Sequence, residues 1–203
     1  MNNNTKIIIE LLVVTLLSTS CLFYFLDNSR ADSTPEPDFV LTGVECYDSV
    51  HYFAIQESLT DANGSKILIK YKTSPSTTFP CAYVVRSDDF EIKKVIAGYF
   101  LTFADNFLVL DIGTGPSYRK LIVYDLRSRK EIFTDTYEEP VTVTDDSITY
   151  LSYTQKKPTI HNCPKLKDYT ANGFGAVIIS KVTVNLSTVT KKDLGKQMCI
   201  ATQ

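Results

Sequence analysis

Short runs of β-branched and aromatic residues alternate with turn-forming residues along most of this chain. Val, Ile, Tyr, Phe and Thr favour strands, whereas Gly, Pro, Asn and Asp separate them. The pattern predicts strands over residues 50–56, 67–72, 82–86, 98–103, 107–112, 121–126, 131–134, 141–144, 148–153 and 176–186. A helical stripe of apolar residues at i, i+3, i+4 and i+7 is not prominent, so at most one short helix is expected, around 164–169.

The junctions between these runs are short and polar. Residues 61–65, 104–106, 127–130 and 145–147 have the composition of hairpin turns. Neighbouring strands are therefore predicted to pair antiparallel. The predicted fold is all-β, a compact antiparallel sandwich or barrel of about ten short strands behind an N-terminal hydrophobic leader helix.

Two segments have a similar arrangement of strand and turn. LIVYDLRSRKEIF at 121–133 and VTVNLSTVTKKDL at 182–194 both end a strand in Asp-Leu or Asn-Leu before a polar turn. This thirteen-residue step resembles the strand–turn–strand step of β-propeller blades. A propeller needs at least about four blades of about 40 residues each, and four clear repeats are not visible. Propeller-like stacked sheets are therefore the second expectation.

The N-terminal segment is hydrophobic from residue 7 to residue 26, with Glu10 as its one charge. About 20 apolar residues are enough to cross a bilayer. Three interpretations remain open: a signal peptide cleaved after Ala31, an uncleaved membrane anchor, or a lipoprotein signal with Cys21 as the lipid-modified residue. Each interpretation places the protein outside the cytoplasm, as a periplasmic, secreted or membrane-anchored chain.

The predicted organisation has three parts. Residues 1–31 are the signal peptide or membrane anchor, residues 32–38 are a polar linker, and residues 39–203 are a single β domain. A chain of 203 residues suits one domain with a substantial core.

Outside the leader the chain contains Cys46, Cys81, Cys163 and Cys199. An even number of cysteines in an exported chain indicates two disulfides. Three connectivities are possible, and we predict Cys46 with Cys81 and Cys163 with Cys199, since each pair brackets a separate end of the domain. Zinc ligands usually come in closely spaced pairs, which these cysteines do not form, so no metal site is predicted.

The formal net charge of -2 argues against a basic field of the kind that attracts nucleic acid. We therefore expect no nucleic-acid partner, and contact with a membrane only through the N-terminal segment. The chain also contains no recognisable cofactor motif, so no cofactor is predicted.

Side chains suited to catalysis are scarce. His51 and His161 are the only histidines, and no Gly-x-Ser-x-Gly motif is present. His51 lies in a predicted strand and His161 in a predicted loop, so packing or surface roles are expected. We assign no catalytic residue. Acidic residues in turns leave one enzymatic alternative, a hydrolase of envelope polymers that uses a pair of carboxylates.

The most distinctive loop runs from residue 113 to residue 120 and contains two glycines and a proline. Function in β proteins is often placed on loops between strands. Tyr118, Arg119 and Lys120 are the candidate binding residues, and an ordinary hairpin connection is the alternative. Alanine at Tyr118 and Arg119 is expected to leave stability nearly unchanged. The predicted function is a noncatalytic binding or accessory module for an envelope or extracellular protein partner.

Overall fold

The computed structural model describes residues 43–113, 115 and 118–202. Within them the fold is nearly all-β, with eleven strands and one short helix. The strands are β1 (Val44–Asp48), β2 (Tyr52–Ser58), β3 (Gly64–Tyr71), β4 (Phe90–Ile96), β5 (Gly98–Ala104), β6 (Phe107–Ile112), β7 (Arg119–Asp125), β8 (Lys130–Val143), β9 (Ser147–Tyr153), β10 (Gly175–Asn185) and β11 (Thr190–Thr202). Helix α1 (Leu166–Ala171) lies between β9 and β10.

The strands form two antiparallel sheets in which neighbours in sequence are neighbours in space. The first sheet has the order β1-β2-β3-β4, and the second has the order β11-β10-β9-β8-β7-β6-β5. Short polar turns of the predicted kind explain this order, because a hairpin joins adjacent antiparallel strands directly. The antiparallel all-β prediction is therefore confirmed.

The two sheets share a hydrophobic core. Ile67 and Ile69 of β3 pack in one cluster with Leu108 and Leu110 of β6, and none of the four side chains is exposed. Full burial of such a side chain contributes about 1.5–3 kcal/mol relative to an exposed one. The aliphatic side chains that alternate along β3 and β6 therefore hold the two sheets together.

A second cluster lies within the seven-stranded sheet and shows that this sheet curls back on itself. Val123 of β7 and Val184 of β10 are fully buried in this cluster. The β5–β6 and β10–β11 turns border one cavity, although β6 and β10 would be about 19 Å apart in a flat sheet at about 4.8 Å per strand. The register of β8 shifts against both of its neighbours, at Val123/Tyr124 of β7 and between Glu138 and Thr142 against β9. A β-bulge bends a strand in this way.

The corner between the two sheets is tight. Only Ala97, at φ 52°, separates β4 from β5. A Cβ atom on the next residue, Gly98, would overlap the side chains of Val95 and Ile112. Glycine is therefore needed at this corner for close packing.

Both predicted disulfides are present, and each joins an outermost strand to a long connection. Cys46 of β1 is bonded to Cys81 in the segment 72–89, and Cys199 of β11 is bonded to Cys163 in the connection before α1. Unpaired sheet edges invite association with other chains. The disulfides therefore fix a connecting segment at one edge of each sheet.

The segment 72–89 covers the outer face of the first sheet. Lys70 of β3 donates hydrogen bonds to the carbonyl of Val84, at 2.8 Å, and to the carboxylate of Asp89, at 2.6 Å. Phe79 lies against Phe53 of β2, with ring centroids 5.8 Å apart. These contacts explain how a face that includes the fully buried Leu68 is shielded from water.

Several predicted element bounds are wrong. The expected strand at 82–86 has no partner strand, because this stretch lies across the outer face of the first sheet. Two expected strands, at 131–134 and 141–144, fall within the single strand β8 apart from Thr144. β1, β4 and β11 were not predicted, and the helix begins and ends two residues later than expected.

The predicted leader and linker fall outside the described residues. Among the residues that the structure does describe, no helix is long and apolar enough to span a membrane.

Candidate functional site

Arg119, one of the three predicted binding residues, is held by contacts within the protein. Its guanidinium forms an ion pair with Asp111 on the neighbouring strand and donates to the carbonyl of Gly115 at 3.3 Å. The hydroxyl of Tyr137 donates to the same Asp111 carboxylate at 2.8 Å. The Arg119 side chain is only 20% exposed. The guanidinium therefore fixes the end of the loop to the sheet, and replacing it would disturb a partly buried network.

Tyr118 is the exposed member of the predicted loop. Its side chain is 52% exposed and stacks on Tyr153 of β9, with ring centroids 4.7 Å apart. The backbone is in the left-handed region, at φ 59°, which is uncommon for a residue other than glycine. The Tyr118 amide donates to the Tyr153 hydroxyl at 2.9 Å, and that hydroxyl donates to Glu138. Burial and the Glu138 carboxylate raise the pKa of Tyr153.

Lys120 is exposed and follows Arg119 on β7. The structure thus places the three predicted residues at one end of the sheets, with Tyr118 and Lys120 facing solvent and Arg119 turned into the protein. Their role in binding stays a prediction.

A second carboxylate network lies further along the same sheet. Asp135 of β8 accepts hydrogen bonds from the hydroxyls of Tyr150, at 2.6 Å, and Ser152, at 2.9 Å, and forms an ion pair with Lys191 at 2.6 Å. Burial raises the pKa of Asp135, but these three partners outweigh it and lower the pKa overall. The Lys191 ammonium also donates to Ser152 at 2.8 Å. Asp135, Ser152 and Lys191 therefore form one hydrogen-bonded network.

At the other end of the sheets, turns from both sheets meet around an open cavity of about 420 Å³, which we call the turn cleft. The β1–β2 turn comes from the first sheet, whereas the β5–β6, β8–β9 and β10–β11 turns come from the second. The turn cleft is lined by Ser49, Val50, His51, Phe103, Asp105, Phe107, Asp145, Asp146 and Ser187. The curl of the large sheet at β8 brings its distant turns to this place.

Two further cavities adjoin the turn cleft and share residues with it. One, of about 290 Å³, is bordered by Asp125 and Arg127, and the other, of about 360 Å³, is bordered by Lys72 and Arg127. Asp105 lines all three cavities. Asp105 lies in the tight turn between β5 and β6, and its backbone, at φ 44°, is in the left-handed region that aspartate tolerates in turns.

Hydrogen bonds from tyrosines of the first sheet hold two of the turns near the turn cleft. The Tyr52 hydroxyl donates to the side chain of Asn106 at 2.8 Å, and the Tyr71 hydroxyl donates to the Leu126 carbonyl at 2.7 Å. Both tyrosines belong to the first sheet, and both acceptors belong to turns of the second. Contacts with the core therefore position these two turns, in addition to hydrogen bonds within the turns such as that from Ser128 to Asp125.

The remaining sequence candidates lie apart from one another. His51 lines the turn cleft, whereas His161 lies in the exposed connection before α1. Asp89 is buried in an ion pair, and Glu138 contacts Tyr153. Of the acidic pairs, Asp145 and Asp146 are brought to the turn cleft. Within the described residues, no group of three His, Cys, Asp or Glu side chains is placed to hold a metal ion.

Sequence reasoning missed the turn cleft. Its residues come from turns near positions 50, 105, 145 and 187, and each turn taken alone has an ordinary hairpin composition. The shared signal is aspartate in the β5–β6 and β8–β9 turns, and the sequence does not show that these turns meet. Comparisons of the chain with protein-family models, curated proteins and solved structures found no match in any of the three.

Proposed function

We propose that this protein is an exported, noncatalytic binding or accessory module, and that the turn cleft is part of its recognition surface. The observation that carries the proposal is the convergence of turns from both sheets on one concave site of about 420 Å³. Loops held by a rigid scaffold are where β proteins commonly place binding residues, and this volume lies at the small end of the range for ligand sites, about 300–1,000 Å³.

The location outside the cytoplasm is supported by the cysteines. The two disulfides fit an oxidising compartment, where such bonds form and persist. We propose that residues 1–31 are the signal peptide or membrane anchor that takes the chain there and that residues 32–38 link it to the domain. The partner is an envelope or extracellular protein, and the membrane is contacted only through the N-terminal segment.

For the architecture, we propose a sandwich in which the seven-stranded sheet folds over itself. The shared cluster of Ile67 with Leu108 supports face-to-face packing of the two sheets, and the cluster of Val123 with Val184 supports a further layer. Propeller-like stacking is the second description of the same layers.

The hydrolase alternative has weaker support. A general acid in a carboxylate pair needs a raised pKa. Among the described residues, the carboxyl groups with a clearly displaced pKa are Asp61, Asp125, Asp135 and Asp193, and in each the pKa is lowered. Hydrogen bonds from neighbouring groups lower these pKa values and favour the ionised form.

Site-specific photocrosslinking tests the proposal. A photoreactive phenylalanine analogue replaces Val50, which is 57% exposed in the turn cleft, or Val84, which is 60% exposed on the segment 72–89. A third variant carries the analogue in place of Tyr118. We expect irradiation of the exported protein in its host to join an envelope or extracellular protein to the Val50 position and not to Val84. The absence of an adduct from both Val50 and Tyr118 would contradict a binding role.

A further inference from the structure

The turn cleft has an uneven charge. Three aspartates, Asp105, Asp145 and Asp146, are among its nine lining residues, and neither lysine nor arginine is. Asp105 accepts a hydrogen bond from the side-chain amide of Asn106, and Asp146 accepts one from the hydroxyl of Thr144. Both donors are uncharged. Neither of these two contacts is an ion pair.

The neighbouring cations are engaged elsewhere or face the adjoining cavities. The Lys72 ammonium lies 2.9 Å from Asp48 and 3.1 Å from the Ser49 carbonyl, and the Lys72 side chain is only 2% exposed. Arg127 borders the two adjoining cavities and is not among the residues that line the turn cleft. The charged side chains that line the turn cleft are therefore its three aspartates.

The same cavity has an apolar part. Phe103 and Phe107 are partly buried and line it from β5 and β6, and Val50 contributes an exposed side chain from the first sheet. A metal ion would gain nothing from these surfaces, and no three described ligands are placed to hold one. An organic cation with an alkyl stem satisfies both parts, because the stem covers apolar surface while the charged head reaches carboxylates and aromatic faces.

We propose that the turn cleft binds a basic side chain, an arginine or a lysine, presented by a protein partner. This inference rests on the proposed binding function and names the chemistry of the partner. The carboxylates attract the cationic head and speed association through the complementary field, and the two phenylalanines and Val50 contact the methylene groups. The small volume restricts the cavity to about one such side chain with its flanking backbone.

The test is an NMR titration of the full exported protein, labelled with nitrogen-15, with the capped tripeptide acetyl-Gly-Arg-Gly-amide. The matched ligand contains citrulline in place of arginine, which keeps the shape and removes the charge. One variant carries Asp105→Asn, Asp145→Asn and Asp146→Asn. The control variant removes three exposed carboxylates that do not line the cavity, with Asp61→Asn, Asp88→Asn and Asp168→Asn.

We expect the arginine peptide to shift the amide signals of Val50, Phe103, Phe107 and Ser187, and the citrulline peptide to bind about 5-fold more weakly. The variant with the three cleft aspartates replaced should bind the arginine peptide more weakly by a similar factor, whereas the control variant should bind this peptide as tightly as the parent protein. Equal binding of the two peptides, an equal loss in both variants, or the absence of shifts at these amides would overturn the inference. If the cleft variant still crosslinks its partner through Val50, the proposed binding function stands while the inference about a basic side chain fails.

Discussion

The ion pair between Lys70 and Asp89 offers a sharp test of how the segment 72–89 is held. The two charged groups are 2.6 Å apart, and each side chain is only 5% exposed. Removing one partner of a buried pair leaves an uncompensated charge and typically costs about 3–5 kcal/mol. We therefore expect Lys70→Met and Asp89→Leu each to lower the free energy of unfolding by about 3 kcal/mol or more.

A double variant separates the ion pair from general packing. Replacing a buried pair by apolar residues of similar volume is often neutral or stabilising. Lys70→Met combined with Asp89→Leu should therefore lower the free energy of unfolding by less than either single replacement does. Part of the loss remains, because the Val84 carbonyl and the Arg86 amide each lose a hydrogen-bond partner. The coupling energy between the two positions should be at least about 2 kcal/mol.

The same sheet supplies a matched control. Lys66 and Glu57 form an ion pair at 2.7 Å whose side chains are 34% and 33% exposed. Exposed pairs contribute about 0–1 kcal/mol, so Lys66→Met should have a small effect. Urea unfolding of the oxidised protein measures all the variants. If Lys70→Met costs no more than Lys66→Met, or if the double variant is additive, the buried ion pair does not hold the segment as described.

Three further expectations concern the corner, the Asp135 network and the loop at the opposite end. Gly98→Ala should lower the free energy of unfolding by about 1–3 kcal/mol, because the added methyl group overpacks the corner. A methyl group at Gly115 would face open space, so Gly115→Ala should change the free energy of unfolding by no more than about 0.5 kcal/mol in the same urea assay. Because the folded pKa of Asp135 is lowered, its stabilisation is present above the unfolded pKa of about 3.9 and is lost as the pH falls through the folded value. Unfolding measured from pH 7 to pH 2 should therefore show that Lys191→Met is most destabilising near neutral pH and that the difference shrinks in acid. Tyr118→Leu should lower the free energy of unfolding by less than about 1.5 kcal/mol, the upper contribution of an aromatic stack. If the loop contacts the partner, the same change should reduce the partner crosslinking seen at Val50. Unchanged crosslinking would mean that the loop is an ordinary hairpin connection.

The strands that sequence predicts well are those whose own residues bury one or both faces. β6 has the predicted bounds, Phe107–Ile112, because its alternating side chains enter the two core clusters. β11 was missed because its first eight residues are exposed, and they include lysines and a glycine with low strand propensity. It forms a strand because β10 offers it a paired neighbour. That information lies in the tertiary structure.

The segment 82–86 shows the opposite failure. Its residues, Ala-Tyr-Val-Val-Arg, have high strand propensity, yet no neighbouring strand is available to them. The disulfide at Cys81 and the hydrogen bond from Lys70 to the Val84 carbonyl hold the backbone across the sheet instead. For the same reason, the expectation that alanine at Arg119 would be harmless could not foresee Asp111, whose contact depends on the pairing of β6 with β7.

The two candidate surfaces lie at opposite ends of the sheets. The Gly113 amide donates to the Ala97 carbonyl, and the Ala97 amide donates to the Asn63 carbonyl, so the loop of Tyr118 lies at the end where β1 starts. The turn cleft lies at the other end, where β1 leads into β2 and β5 leads into β6. Because the two surfaces are separated by the length of the strands, crosslinks from Val50 and from the Tyr118 position distinguish which surface a partner uses.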